Sequence, residues 1–88
     1  MPRATDEQLT RVHTPEYISS LHSLLERARD QETRIPIDLD TTASPGTLEA
    51  VLKGSGAVCA AVDEVLTSGA TRAFCVVRAP GHHAESDR

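Results

Sequence analysis

A continuous apolar run near the end of the chain places the strongest constraint on its fold. Residues 73–77 read Ala-Phe-Cys-Val-Val. A run of this length without polar alternation is typical of a strand that is buried on both faces, as in a parallel sheet. A helical pattern and Gly69, a typical residue just past a helix end, come before the run, and a Pro-Gly loop follows it. This order predicts half of an α/β repeat.

The helical pattern before this run is the longest in the sequence. Ser44 is predicted as its N-cap and Pro45 as its first residue. Gly54 and Gly56 weaken the middle of such a helix, so we expect them to allow close packing against a neighbouring element. The apolar residues of the helix predict one broad buried face: Leu48, Val51, Leu52, Val58, Val62, Val65 and Leu66.

The first half of the chain carries two further helix starts. Residues 5–8 have the form of a capping box, which predicts a short helix from Asp6 to Val12. Thr14 followed by Pro15 predicts a second N-terminus, and apolar residues at helical spacing extend that helix to about Asp30. Residues 34–39 alternate around a proline, which favours a short edge strand or an extended loop.

Composition narrows the possible functions. The chain has 88 residues, a net charge of −4 and only 2% aromatic residues, with no tryptophan. One small domain of this length has a thin margin of stability, because it buries a modest share of its unfolded surface. The absence of a basic stripe argues against nucleic-acid binding. No apolar stretch is long enough to cross a membrane.

The two cysteines, Cys59 and Cys75, lack the spacing of a metal knuckle or a redox pair. No signal peptide pattern precedes them. The sequence therefore predicts two buried, reduced thiols in a cytoplasmic protein.

Two adjacent histidines, His82 and His83, follow the apolar run and the Pro80-Gly81 turn. Ligands in open α/β sheets lie beyond the carboxyl ends of the strands, which is where this pair is expected. Such a pair serves as two metal ligands, as an acid/base pair, or as a solvated loop feature. Because a metal site needs three or four ligands and no further donors occur at helpful spacing, no metal ligand is assigned.

Three motifs resemble those of the histone deacetylase and acetylpolyamine amidohydrolase superfamily, and they occur in the family's order. Residues 78–85, R-A-P-G-H-H-A-E, resemble its R-P-P-G-H-H-A motif. Residues 11–18, R-V-H-T-P-E-Y-I, are similar to its V-H-(S/T)-P-x-Y-(I/L) helix start. Residues 40–50, D-T-T-A-S-P-G-T-L-E-A, are similar to its D-T-x-x-S-P-G-(S/T)-x-E-A segment. The resemblance covers nearly the whole chain.

The resemblance implies roles for the histidine loop. In the family, the residue matching His82 hydrogen-bonds the zinc-bound water and stabilises charge. The residue matching His83 is the general base and then the general acid, with its tautomer set by a carboxylate. Pro80 and Gly81 form the active-site loop. Ala79 stands where the family more often has proline, which should change the turn little.

The resemblance also implies what this chain lacks. The family's zinc is held by two aspartates and a histidine in later loops, and its oxyanion tyrosine also comes later. Tyr17 lies outside that motif and is not assigned its role. The family's first strand would precede Met1. We therefore expect residues 1–88 to form a single incomplete domain that binds no zinc and has no deacetylase activity by itself. Its predicted fold is α/β: part of a three-layer arginase-deacetylase fold, mainly helical with one or two short parallel-type strands.

Asp38 and Asp40 lie in a loop that reaches the substrate rim in the family. A carboxylate at either position is suited to pair with a cationic substrate. The alternative for each residue is an aspartate that is solvated or forms a turn. His13, just before a helix start, is expected to be structural, and His22 is expected on a solvated helix face.

Three functional hypotheses remain open. The chain is a truncated amidohydrolase, or a non-catalytic module that self-associates, or one half of a split enzyme whose complementing chain supplies the zinc loops. Because the apolar strand is expected to expose its edges and faces, we predict a homo-oligomer formed through exposed strand or helix faces.

Overall fold

The first helix, α1, begins where the capping box predicts. The computed structural model describes residues 2–38, 41–69, 71–77 and 84–87. α1 spans Asp6–Thr10. The Thr5 hydroxyl accepts from the Gln8 N–H at 3.2 Å, and the Gln8 side chain accepts from the Thr5 N–H at 2.9 Å. The helix ends two residues before the predicted Val12.

The second helix, α2, spans Pro15–Asp30, and its predicted bounds are confirmed. The Thr14 hydroxyl accepts from the Tyr17 N–H at 3.2 Å, and Pro15 occupies the first turn, where no N–H is needed. Leu25 and Ala28 are the buried residues of this helix. Local capping signals therefore define the starts of α1 and α2, the two helices of a helical hairpin.

Two short strands follow α2. β1, Ile35–Pro36, pairs antiparallel with β2, Thr42–Ala43, with Ile35 opposite Ala43. The predicted strand around Pro36 is confirmed in this two-residue form. Pairing with β1 gives Thr42–Ala43 its strand structure.

The third helix, α3, spans Thr47–Thr67, so the predicted N-cap at Ser44 is wrong. The Thr47 hydroxyl accepts from the Ser44 N–H at 2.8 Å, and the Thr47 N–H donates to the Ser44 carbonyl at 3.1 Å. These bonds form a turn before the helix and leave Gly46 as an N-cap without a side-chain bond. At the other end Gly69 has φ +84°, a conformation that favours glycine, and α3 ends as predicted.

Gly56 allows the N-terminal segment to lie directly on α3. A Cβ at this position would overlap the Pro2 carbonyl oxygen and lie 2.7 Å from the Ala4 nitrogen. The Ala4 N–H donates to the Leu52 carbonyl at 2.9 Å, one turn earlier in the helix. The expected close approach at this glycine is therefore confirmed.

The core lies where α2, α3 and the strand pair meet. Its fully buried members are Leu25, Ala28, Ala43 and Leu48. The partly buried residues packed around them are Leu21, Leu24, Ile35, Ile37 and Leu52. Only one side of the predicted apolar face of α3 enters this core, because Val51, Val58, Val62 and Leu66 remain exposed.

The predicted parallel-type strand at residues 73–77 is wrong for the described part of the chain. These residues have no regular secondary structure, and the strands that the structure describes pair antiparallel. A strand exists only with a hydrogen-bonded neighbour. No described segment runs beside residues 73–77 as a second strand, so they rest on α3 instead. The described fold is mostly helical with a two-strand antiparallel sheet, and its place as part of a three-layer fold stays a prediction.

Both cysteines are free thiols and half-buried, less enclosed than predicted. Among the described residues, no helix combines the length and apolar character that crossing a bilayer requires.

Candidate functional site

A groove opens where the β1–β2 connection approaches the end of the 73–77 segment. Ile37 and Thr41 line one side, Val76 and Val77 line another, and the first turns of α3 form the floor. Val77 lies beside Gly54 of α3: a Cβ at Gly54 would be 3.9 Å from the Val77 Cβ, an ordinary contact distance. The groove therefore borders the residues that lead into the histidine loop.

Asp38 follows Ile37, which lines this groove. Its side chain is exposed, and its backbone N–H donates to the Thr41 carbonyl at 3.2 Å. The same carbonyl accepts from the Ile37 N–H at 2.7 Å. The backbone N–H groups of Ile37 and Asp38 are therefore both bonded to Thr41, and Asp38 is exposed to solvent. Asp40, the other predicted rim residue, lies outside the described residues.

One backbone hydrogen bond joins the start of α2 to the segment just after the histidine motif. The Thr14 N–H donates to the Ser86 carbonyl at 2.8 Å. Thr14 belongs to the V-H-T-P-E-Y motif, and Ser86 comes three residues after His83. The segment that follows the histidine pair is therefore attached to the start of α2.

Sequence reasoning missed the role of Thr14 in this link. It identified Thr14 only as an N-cap, and its hydroxyl does cap Tyr17. Its carbonyl accepts from the Ile18 N–H at 3.1 Å, so all three polar groups of Thr14 are engaged. The partner of an unpaired N–H before a helix cannot be read from local sequence, because it comes from the far end of the chain.

His13 adjoins this link and is held within the helical hairpin. Its backbone N–H donates to the Leu9 carbonyl at 3.0 Å, and its ring centroid lies 5.2 Å from that of Tyr17. Its Nδ1 atom is buried without a hydrogen-bond partner among the described residues. These contacts agree with the structural role expected for His13, and they place Tyr17 in a helix-face contact.

His22 is far less enclosed. Its Nδ1 atom lies 3.1 Å from a Glu26 carboxylate oxygen across one turn of α2, and both side chains are more than 40% exposed. This is the partly solvated helix face that the sequence predicted.

The predicted catalytic residues His82 and His83, and the loop residues Pro80 and Gly81, lie outside the described residues. Their roles remain predictions. Within the described part of the chain, no group of three or more histidine, cysteine, aspartate or glutamate side chains is arranged to hold a metal ion. The described donor set therefore does not fit a zinc site.

Comparison with known proteins identifies the family. The family model for the histone deacetylase domain matches residues 1–88. The chain is 32% identical over 87 residues to the histone deacetylase-like amidohydrolase of Pseudomonas aeruginosa, covering 99% of this chain and 22% of that protein. It is 30% identical over 83 residues to the polyamine deacetylase HDAC10 of Homo sapiens, covering 93% of this chain and 12% of that protein.

A shorter stretch is more similar still. The chain is 60% identical over 45 residues to the type-2 histone deacetylase 2 of Dictyostelium discoideum, covering 51% of this chain and 3% of that protein. The chain belongs to the histone deacetylase family, as its motifs predicted. It spans between 3% and 22% of the length of these three relatives.

Proposed function

We propose that this chain carries the acid–base part of a deacetylase active site. The parent reaction is the hydrolysis of an acetyl-amide in acetyl-lysine or an acetylpolyamine. The observation that carries this proposal is the bond from the Thr14 N–H to the Ser86 carbonyl, at 2.8 Å. It attaches the chain just after the histidine pair to a capped helix, and a fixed attachment is what a catalytic loop needs.

The two histidines take different parts in the proposed chemistry. His83 removes a proton from the attacking water and later donates that proton to the leaving amine, which is the work of a general base and then a general acid. His82 stabilises charge that develops beside it. In the family a zinc ion activates the water and polarises the amide carbonyl. The described residues of this chain do not fit that ion, so we derive no step through it.

The groove lined by Ile37, the residue before Asp38, supports the proposal that the substrate is cationic. Ile37 and Val77 supply apolar lining to the groove, and Asp38, the residue after Ile37, is exposed. A substrate with an alkyl chain and a distant ammonium group would place its chain in the groove and its charge near the carboxylate. Acetyl-lysine peptides and acetylpolyamines both have this form. Asp40 is proposed as a second rim carboxylate on the basis of sequence alone.

The isolated chain is proposed to be inactive, because acid–base groups alone do not provide the metal-dependent part of the reaction. The test is acetate release from an acetyl-lysine peptide and from an N-acetylpolyamine, with zinc present. We expect no release above buffer. Acetate release by the isolated chain that disappears in His83→Ala would contradict the proposed inactivity. It would also support His83 as the general base.

A complementing chain is the second candidate. It would supply the zinc-binding loops that the family resemblance places outside residues 1–88. The experiment mixes this chain with a polypeptide carrying the remainder of a histone deacetylase domain. We expect activity only in the mixture, with His82→Ala and His83→Ala abolishing it.

His22→Ala is the matched control for this mixture, because His22 pairs with Glu26 on a partly solvated face of α2. If His22→Ala removed as much activity as His83→Ala, the assignment of the base would fail.

The two free thiols fit the proposed cytoplasmic location, where cysteines remain reduced.

A further inference from the structure

The groove that Ile37 and Val77 line also carries a cation. Lys53 is the one charged side chain among the described residues that line it. It lies in α3 beside Gly54, which belongs to the same lining. The other polar residues of the described lining are uncharged: Thr41, Thr42, Ser44 and Thr47. The described walls of the groove therefore contain a positive charge and no carboxylate.

The charge of Lys53 is balanced only in part. Its Nζ atom lies 3.5 Å from the Oε2 atom of Glu49, one turn earlier in α3. The Oε1 atom of the same carboxylate contacts the Arg3 guanidinium. One carboxylate therefore pairs with two cations, and two positive charges with one negative charge leave a net charge of +1 on this cluster.

The helix and the pair with Glu49 restrict where the Lys53 ammonium can lie. The Lys53 side chain is 50% exposed, so it is neither buried nor free in solvent. A charge in such a partly solvated place acts on a neighbour more strongly than in bulk water and more weakly than in a protein interior. A ligand in the groove would therefore meet a moderate positive potential.

We propose that Lys53 is a specificity-determining residue that excludes ammonium groups from the floor of the groove. This inference rests on the proposed function, in which the groove takes the alkyl chain of an acetylated substrate. An ammonium on that chain would be repelled by Lys53. An uncharged chain meets no such repulsion, and it gains from leaving water beside the apolar Val77.

The proposal separates the two substrate types named above. An acetylpolyamine carries ammonium groups on the same chain as its acetyl group, so the chain would bring positive charge into the groove. The acetylated side chain of a lysine is uncharged, and the cationic groups of a peptide lie on neighbouring residues. Lys53 therefore disfavours acetylpolyamines and tolerates a cationic peptide whose charges stay outside the groove.

The test uses two ligands of equal length that differ by one charge. N-acetylputrescine ends in an ammonium, and N-pentylacetamide has a methyl group in its place. Each is titrated into the whole chain, and binding is followed by NMR at the Gly54 and Val77 amides. Because desolvation alone favours the uncharged ligand, the decisive quantity is the ratio of the two dissociation constants, compared between variants.

Lys53→Gln should lower this preference for the uncharged ligand about threefold, which is the size of effect that partly exposed charges produce. Lys53→Arg keeps the charge and should keep the preference. Arg11→Gln is the matched control: it removes the same charge from the chain, but Arg11 pairs with Glu7 at the end of α1 and does not line the groove. We expect the control to behave like the unmodified chain, and circular dichroism checks the helix content of each variant.

Salt gives an independent readout, because ions screen exposed charges. Raising the ionic strength should lower the preference in the unmodified chain and leave it unchanged in Lys53→Gln. An unchanged preference in Lys53→Gln, or an equal loss in Arg11→Gln, would overturn the role of Lys53 and leave the groove as a substrate site. If neither ligand shifted the Gly54 and Val77 resonances, the groove itself would be removed from the proposed function. The acid–base role of His83 keeps its own test, since none of these measurements depends on activity.

Discussion

The amide of Thr14 and the carbonyl of Ser86 are joined by a hydrogen bond of 2.8 Å, although the two residues lie near opposite ends of the chain. Thr14 precedes α2, where backbone N–H groups have no partner within the helix. Ser86 satisfies one of them from outside. The first motif is therefore bonded to the residue that follows the last motif.

Hydrogen exchange at the Thr14 amide should depend on the residues that follow the histidine pair. We expect deletion of residues 84–88 to speed exchange of this amide about fivefold, since a typical backbone bond contributes about 1 kcal/mol. The Leu9 amide, which donates to the Thr5 carbonyl at 3.0 Å, is the internal control and should not change. Exchange measured by NMR decides the matter, and unchanged protection at Thr14 would contradict the link.

Two glycines of α3 should respond in opposite directions to alanine. Gly56→Ala should reduce the free energy of unfolding by about 1–3 kcal/mol, because the new methyl group meets the backbone of Pro2–Ala4. Gly54→Ala should increase it by up to about 1 kcal/mol, because among the described residues the new methyl group would meet only the Val77 Cβ, at ordinary contact distance, and alanine favours helix. Urea denaturation measures both, and a shift of the same sign would contradict the close approach at Gly56.

Leu25 should be the most costly apolar side chain to truncate. It is 2% exposed and lies at the centre of the core between α2 and α3. Leu25→Ala is expected to lower the free energy of unfolding by about 2–5 kcal/mol, through lost burial and the cavity left behind. Val12→Ala, at a residue that is 69% exposed, should change it by less than about 0.5 kcal/mol. Similar losses in the two variants would show that the core is not where the structure places it.

The N-cap of α2 gives a prediction that concerns one hydroxyl. Thr14→Ala should cost about 1 kcal/mol, because the Tyr17 N–H loses its acceptor. Thr14→Ser keeps the hydroxyl and should restore most of the stability. Thermal melts followed by circular dichroism compare the two. A serine variant as unstable as the alanine variant would mean that the cap contributes little.

The site was only partly predictable from sequence. The motifs identified the family. They also predicted His82 and His83 as the candidate catalytic pair. They did not give the bond from Thr14 to Ser86 or the groove formed by Ile37 and Val77. Those features join segments that are distant along the chain, and no local pattern encodes such a pairing.

The sequence by itself determined the elements whose signals act over a few residues. Thr5 with Gln8 set the start of α1, Thr14 with Pro15 set the start of α2, and Gly69 set the end of α3. Tertiary structure decided the rest. The Ser44–Thr47 turn moved the start of α3 past the predicted cap. The apolar run 73–77 lies on α3 without forming a strand, because strand structure depends on a hydrogen-bonded neighbour and not on the run's own composition.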